Sequence, residues 1–297
     1  MILPRLTLFG LALFVAIAVN APLQALLRRA GRMAAADRLQ IAISRLICTA
    51  LGLRVRCHGR PPAGGALVVS NHVSWTDILV LGAAAPLCFL AKSEVAGWPL
   101  LGAAVRAHGT LFVARGRAAE FQRVNATIAE EIRRDRPVVV FAEGTTGNGT
   151  RLEKFHSGHL AAARDVLLAD PARRTVPIVP AALAYTRRDG LATGRLDRLA
   201  LAWIGDETLL PHLKALLRHG PIQCDLVFGE ALHVGRDDDR KTVAAELYGR
   251  VHRIFSALIG GRGLADADGP VLAEASAIWS ARMNPVLRPH FPSGPLS

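Results

Sequence analysis

The 297-residue chain has little of what several functional classes require. Its four cysteines, Cys48, Cys57, Cys88 and Cys224, are scattered and form no C-x-x-C pair. That excludes a disulfide framework or a thiol redox motif, and it reads them as small core residues in a reducing compartment. His156 and His159 form an H-x-x-H pair, but no thiol or acidic cluster beside them completes a tetrahedron, so no metal site is expected. Aromatic residues make up 5% of the chain and include two tyrosines. There is no zinc pattern, no helix-turn-helix cue and no basic strand interleaved with aromatics, so nucleic acid is not an expected partner. Lysine occurs only at Lys92, Lys154, Lys214 and Lys241, which leaves arginine to carry the net charge of +12. Internal repeats are absent.

What is present fits a globular chain that meets anionic partners, a phospholipid surface or an acidic protein. Hydrophobic residues make up 51% of the chain, enough to bury a full core. From Leu6 to Leu27 the chain is apolar except for Asn20 and Gln24, a run long enough as a helix to cross a hydrocarbon core. Arg28, Arg29 and Arg32 follow it against Arg5 before it, which places what comes next in the cytoplasm, at the inner membrane. A cleaved signal peptide ending near Ala16-Ile17-Ala18 is the rival reading, and Pro22 shortens the helix in both. The expected division is a membrane anchor with basic flank at 1–33, a folded domain at 34–262 and a loosely packed, proline-rich tail at 263–297.

Short apolar runs predict strands over 54–58, 66–69, 87–91, 110–114, 137–142, 176–185 and 222–228. Helical periodicity falls between them, over 117–134, 157–168 and 241–258, and this alternation argues an α/β layered domain. Ala34 to Leu53 reads as an amphipathic helix, lying either at a membrane interface or in the core. The strand Val176-Pro177-Ile178-Val179-Pro180 holds two residues that cannot donate to a ladder, which points to an edge or a kink.

The strongest chemical signal is Ser70-Asn71-His72-Val73-Ser74-Trp75-Thr76-Asp77 at the exit of the strand ending near Val69. Asn71 can cap a following helix over Ile78 to Ala85. An imidazole and a carboxylate about one helical turn apart suit a general base and the group that fixes its tautomer. The spacing H-x4-D has about one chance match in a chain of this length and composition. His233 and Asp238 supply it, in a charged stretch that reads as a solvated turn. Further blocks set His72 apart. Gly109 to Arg115 reads as a strand delivering Arg115 to its end, where a guanidinium can bind an anionic headgroup. Pro137 to Ala142 runs into Glu143-Gly144-Thr145-Thr146-Gly147, a loop of small residues whose backbone donors can approach a phosphate or an oxyanion.

In this order the blocks resemble the glycerolipid acyltransferase family. N-H-x4-D falls on Asn71, His72 and Asp77; G-x-x-F-[IV]-x-R on Gly109, Phe112, Val113 and Arg115; E-G-T on Glu143, Gly144 and Thr145; and V-P-[IV]-[VI]-P on Val176 to Pro180. Lys92-Ser93-Glu94 and Trp98 to Gly102 look like the family's segment between its first two blocks. The resemblance covers about residues 50 to 230. It implies a mixed sheet flanked by helices, and transfer of a fatty acyl group from acyl carrier protein or acyl-CoA to a lysolipid hydroxyl. No cofactor is implied. His72 and Asp77 would be catalytic, while Arg115, Glu143, Gly144, Thr145 and Thr146 would contact substrate. The implied acceptor is 1-acyl-glycerol-3-phosphate, giving phosphatidic acid. One departure weakens that: Thr146 stands where many relatives that use this acceptor carry arginine, although Arg151 or Lys154 can substitute. The strings Phe141 to Gly149 and Trp203 to His212 resemble the branch that acylates lyso-ornithine lipid, the alternative acceptor. A thioester or lipid-ester hydrolase and a non-catalytic basic membrane-binding protein are rivals from other classes.

Overall fold

A computed structural model describes residues 2–93, 97, 110–113, 118–205, 207–218 and 220–261. The predicted tail, and Arg115 with it, lies outside them, as do Glu94 and Trp98 to Gly102.

The strands are β1 (Leu53–His58), β2 (Leu67–Ser70), β3 (Cys88–Lys92), β4 (Leu111–Val113), β5 (Val138–Phe141), β6 (Val176–Arg188), β7 (Leu191–Ala192), β8 (Ile222–Phe228) and β9 (Leu232–Val234). They join one sheet in the order β1-β8-β6-β2-β5-β3-β4, with β7 and β9 paired to β6. Strands β2 to β6 run parallel, while β8 is antiparallel to β6 and parallel to β1. The sheet is therefore mixed, as the family resemblance implied.

Alternation along the strands sends side chains to two cores. Val68, Val139, Leu183 and Leu226 face one core, built with α1 (Ile2–Val15), α3 (Met33–Leu51), α4 (Asp77–Ala84) and α8 (Leu209–Arg218). Val69, Val140, Ile178 and Ala182 face the other, built with α5 (Ala118–Arg133), α6 (Ala161–Ala169) and α9 (Arg240–Gly260). The product is a helix–sheet–helix sandwich, the usual way for a largely parallel sheet to bury both faces. The remaining helices are α2 (Ala21–Arg29) and α7 (Arg195–Leu201).

One open reading resolves and two expectations change. Of the two places left open for helix α3, the core is the one it takes, for it buries Ala36, Ile43, Ile47, Cys48 and Leu51. The proline-bearing strand β6 is central, not an edge. It pairs with β9 through Ile178 and with β8 from Ala181 onward, so Pro180 falls where the antiparallel neighbour changes. There its carbonyl still accepts from the Gly229 N–H at 2.8 Å, and the missing donor costs little. The N-terminal run does not stop at Pro22, because a π-turn over Ala16–Asn20 joins α1 to α2, with Pro22 in the first turn of α2. Leu3–Arg29 is long and apolar enough to cross a membrane. Leu3, Leu11, Phe14 and Leu26 are exposed along it, whereas Ala12 and Ala16 pack into the first core. Arg28 pairs with Asp37 at 3.2 Å and reaches Gln40, tying α2 to α3.

Candidate active site

Register brings the two best sequence blocks together. Ser70, the last residue of β2, lies opposite Phe141, the last of β5, so the segments at His72 and Glu143 leave the sheet side by side at the carboxyl ends of parallel strands. Asn71 does not cap α4. It is buried and takes the place of a strand partner: its Nδ2 donates to the Leu183 carbonyl at 3.0 Å, and its Oδ1 accepts from the Leu183 N–H at 2.9 Å. This two-way amide fixes where the backbone leaves the sheet and where the imidazole begins.

His72 and Asp77 meet as the spacing predicts, with Nδ1 and Oδ2 2.8 Å apart. The side chain of Asp77 is fully buried, whereas that of His72 is 18% exposed. Asp77 Oδ2 also accepts from the N–H groups of Val73 (2.6 Å) and Ser74 (2.9 Å), and Oδ1 accepts from the Tyr185 hydroxyl at 2.7 Å. These donors offset the desolvation that a buried carboxylate otherwise suffers. Burial pushes the Tyr185 phenol well above its ordinary range, so it stays protonated and remains a donor. Because Oδ2 already accepts from two backbone N–H groups, Nδ1 is the donor of this bond, and Nε2 has no partner among the described residues. Phe141 stacks on the imidazole with centroids 3.9 Å apart and planes 10° from parallel, which fixes the ring from one side.

Glu143 points into the protein. It is buried, and both its oxygens are occupied: Oε2 accepts from the His72 N–H at 2.6 Å and Oε1 from the Glu153 N–H at 2.8 Å. The Gly147 N–H donates to the His72 carbonyl at 2.7 Å, so the E-G-T loop grips the His72 backbone on both sides. Burial pushes the Glu143 carboxyl up to about 7, against the pull of its two backbone donors.

The backbone donors expected to serve an oxyanion are mostly engaged. The His72, Val73 and Ser74 N–H groups go to carboxylates, and that of Gly144 goes to the Phe141 carbonyl at 3.1 Å. Thr145 is exposed, and its N–H has no partner among the described residues. Gly144 takes φ +71, the left-handed conformation that glycine tolerates and that turns this loop outward. The Thr146 hydroxyl donates to the Trp203 carbonyl and braces the loop.

Tyr185, Trp75 and Trp203 were not singled out for the site from the sequence. Only Tyr185 carried a signal, as one of two tyrosines and set in an apolar strand. The second H-x4-D pair does not form a site: His233 is exposed, and Asp238 Oδ2 accepts from the Gly235 N–H at 2.7 Å. Burial pushes the thiols of Cys48, Cys57 and Cys88 up to about 12 and that of Cys224 well above its ordinary range, which leaves no described thiolate nucleophile near neutral pH.

Residues 54–184 match the acyltransferase family model. The chain is 37% identical over 231 residues to the lyso-ornithine lipid O-acyltransferase of Brucella abortus, covering 77% of this chain and 86% of that one. It is 31% identical over 162 residues to the 1-acyl-sn-glycerol-3-phosphate acyltransferase of Neisseria meningitidis, covering 54% and 60%. The crystal structure of the 1-acyl-sn-glycerophosphate acyltransferase from Thermotoga maritima superposes with a TM-score of 0.61 at 19% identity, over 87% of this chain and 98% of that one.

Proposed function

Because this chain belongs to the glycerolipid acyltransferase family and is a lysolipid acyltransferase, we propose that it moves a fatty acyl group from a thioester donor, acyl carrier protein or acyl-CoA, to the hydroxyl of lyso-ornithine lipid. The acceptor rests on the higher identity and longer coverage of the Brucella relative. Thr146 supports it too, standing where a phosphate-binding arginine would and bracing Trp203 instead. The Neisseria relative keeps 1-acyl-glycerol-3-phosphate as the second acceptor.

The observation that carries the mechanism is the buried Asp77 holding His72 at Nδ1. Nε2 takes the proton of the acceptor hydroxyl as that oxygen attacks the thioester carbonyl. Asp77 stabilises the imidazolium that results. The Thr145 N–H stabilises the tetrahedral oxyanion. Collapse expels the thiolate, which takes the proton back from Nε2, so no acyl-enzyme forms and the base is regenerated. Arg115 binds the acceptor's anionic headgroup.

The exposed apolar side of α1 and α2 meets the lipid, and Arg28, Arg29 and Arg32 keep the catalytic domain, residues 34–262, at the cytoplasmic face of the inner membrane. An anionic surface suits the net charge. The test supplies purified protein and a labelled acyl thioester with lyso-ornithine lipid or 1-acyl-glycerol-3-phosphate, and identifies the product by mass. Ornithine lipid is expected. Phosphatidic acid as the only product would transfer the assignment to the second acceptor, and free fatty acid from both mixtures would make the protein a hydrolase.

A further inference from the structure

The stretch from Trp203 to His212 is gathered onto the two catalytic blocks by three hydrogen bonds. The Trp203 N–H donates to the Val73 carbonyl at 2.9 Å, and the Trp203 carbonyl accepts from the Thr146 hydroxyl. At the far end, Trp75 Nε1 donates to His212 Nδ1 at 3.0 Å, a bond between residues 137 apart in sequence. Their rings meet edge to face with centroids 6.4 Å apart.

An indole nitrogen only donates, so His212 must be unprotonated at Nδ1 and carry its proton on Nε2. His212 is 1% exposed, and its Nε2 has no partner among the described residues. A histidine kept in one tautomer, at the cost of a buried unpaired donor, needs an explanation beyond packing, where leucine or phenylalanine would serve. Trp75 supplies one. It sits inside the turn that carries His72 and Asp77, between the residues whose N–H groups bind Asp77 and the start of α4.

We infer that His212 is a positioning residue for acyl transfer. By accepting from the Trp75 indole it fixes the turn on which the base and its aspartate are mounted. The inference rests on the base assignment to His72 and adds a residue that touches neither substrate nor the reacting atoms.

His212→Phe removes the acceptor at similar volume, Trp75→Phe removes the donor, and His212→Asn places an amide oxygen where Nδ1 was. With the donor–acceptor pair that gives product, the two phenylalanine variants should each lower kcat about tenfold with KM within about twofold. Combined, they should be no slower than either alone, and the asparagine variant should recover most of the rate. In protein labelled with 5-fluorotryptophan, the Trp75 resonance should shift in His212→Phe and stay near its wild-type position in His212→Asn.

Melting temperature reports whether each variant folds. A folded His212→Asn as slow as His212→Phe, or a His212→Phe whose kcat stays within twofold of wild type, overturns the inference. The fluorine line is read without substrate. An unimpaired His72→Ala enzyme would therefore sink the base assignment while the Trp75 line still decided the hydrogen bond.

Discussion

The chain carries the same five-residue spacing of histidine and aspartate twice, at His72/Asp77 and at His233/Asp238, and the structure makes a site of one and a surface turn of the other. The difference lies in what surrounds the aspartate. Asp77 is fully buried and receives four donors, from His72, Val73, Ser74 and Tyr185. Asp238 receives the Gly235 N–H at an exposed turn, beside a crevice shared with Arg173 and Arg236 at the opposite end of β6. A spacing sets only what two side chains can reach. Burial, and the register that brings Phe141 and Glu143 beside His72, turn that reach into a fixed tautomer.

The sharpest way to break the comparison is to remove the base. His72→Ala should lower turnover by on the order of 10²- to 10⁴-fold without changing melting temperature by more than a few degrees, measured with the labelled-thioester assay. More than about a tenth of the activity remaining would refute the base role. Asp77→Asn should come next, with a loss of at least about 10²-fold. It also exchanges an acceptor for a donor facing buried N–H groups, so denaturant unfolding should show about 1–3 kcal/mol of destabilisation. Unchanged stability in that variant would mean that the Val73 and Ser74 contacts carry no weight.

A third prediction concerns Glu143 and pH. Its folded value of about 7 lies above the ordinary 4.5, so its contribution to stability is fully present below about 4.5 and is lost as pH rises through about 7. Relative to Glu143→Gln, wild type should lose on the order of 3 kcal/mol over that window and then level off. Parallel stability curves for the two proteins would rule out a titrating Glu143. The smallest effect belongs to the other pair. His233→Ala and Asp238→Ala should leave turnover within about twofold, and a large loss from either would erase the distinction between the two pairs.

Much of the sheet was legible because β-branched apolar runs such as Leu67-Val68-Val69 and Val138-Val139-Val140 have few alternatives to a buried strand. Helix α4 and the His72/Asp77 contact followed from local spacing. Partners distant in sequence could not be read. Nothing in Asn71 announces that its amide will pair with Leu183, and nothing in Glu143 announces that its oxygens will bind the backbone of His72 and Glu153. The central place of β6 was hidden by its prolines, whose effect depends on where β9 gives way to β8. Helices α7 and α8 also went unread, and with α8 the link from His212 to Trp75.

The π-turn in the N-terminal helix sets the phase of everything before it. Ala12, Ala16, Asn20 and Gln24 are all buried at intervals of four residues, and in an unbroken α-helix each such step overshoots a full turn by roughly 40°. The wider turn absorbs one extra residue and holds back that drift, so the small and amide side chains stay in one line, with Gln24 donating to Asn20 at 3.2 Å. Deleting a single residue between Ala16 and Asn20 would rotate α1 by about 100°. Leu11 and Val15 would take the inward places of Ala12 and Ala16, where only small side chains now fit, and the apolar stripe would lose its outward line.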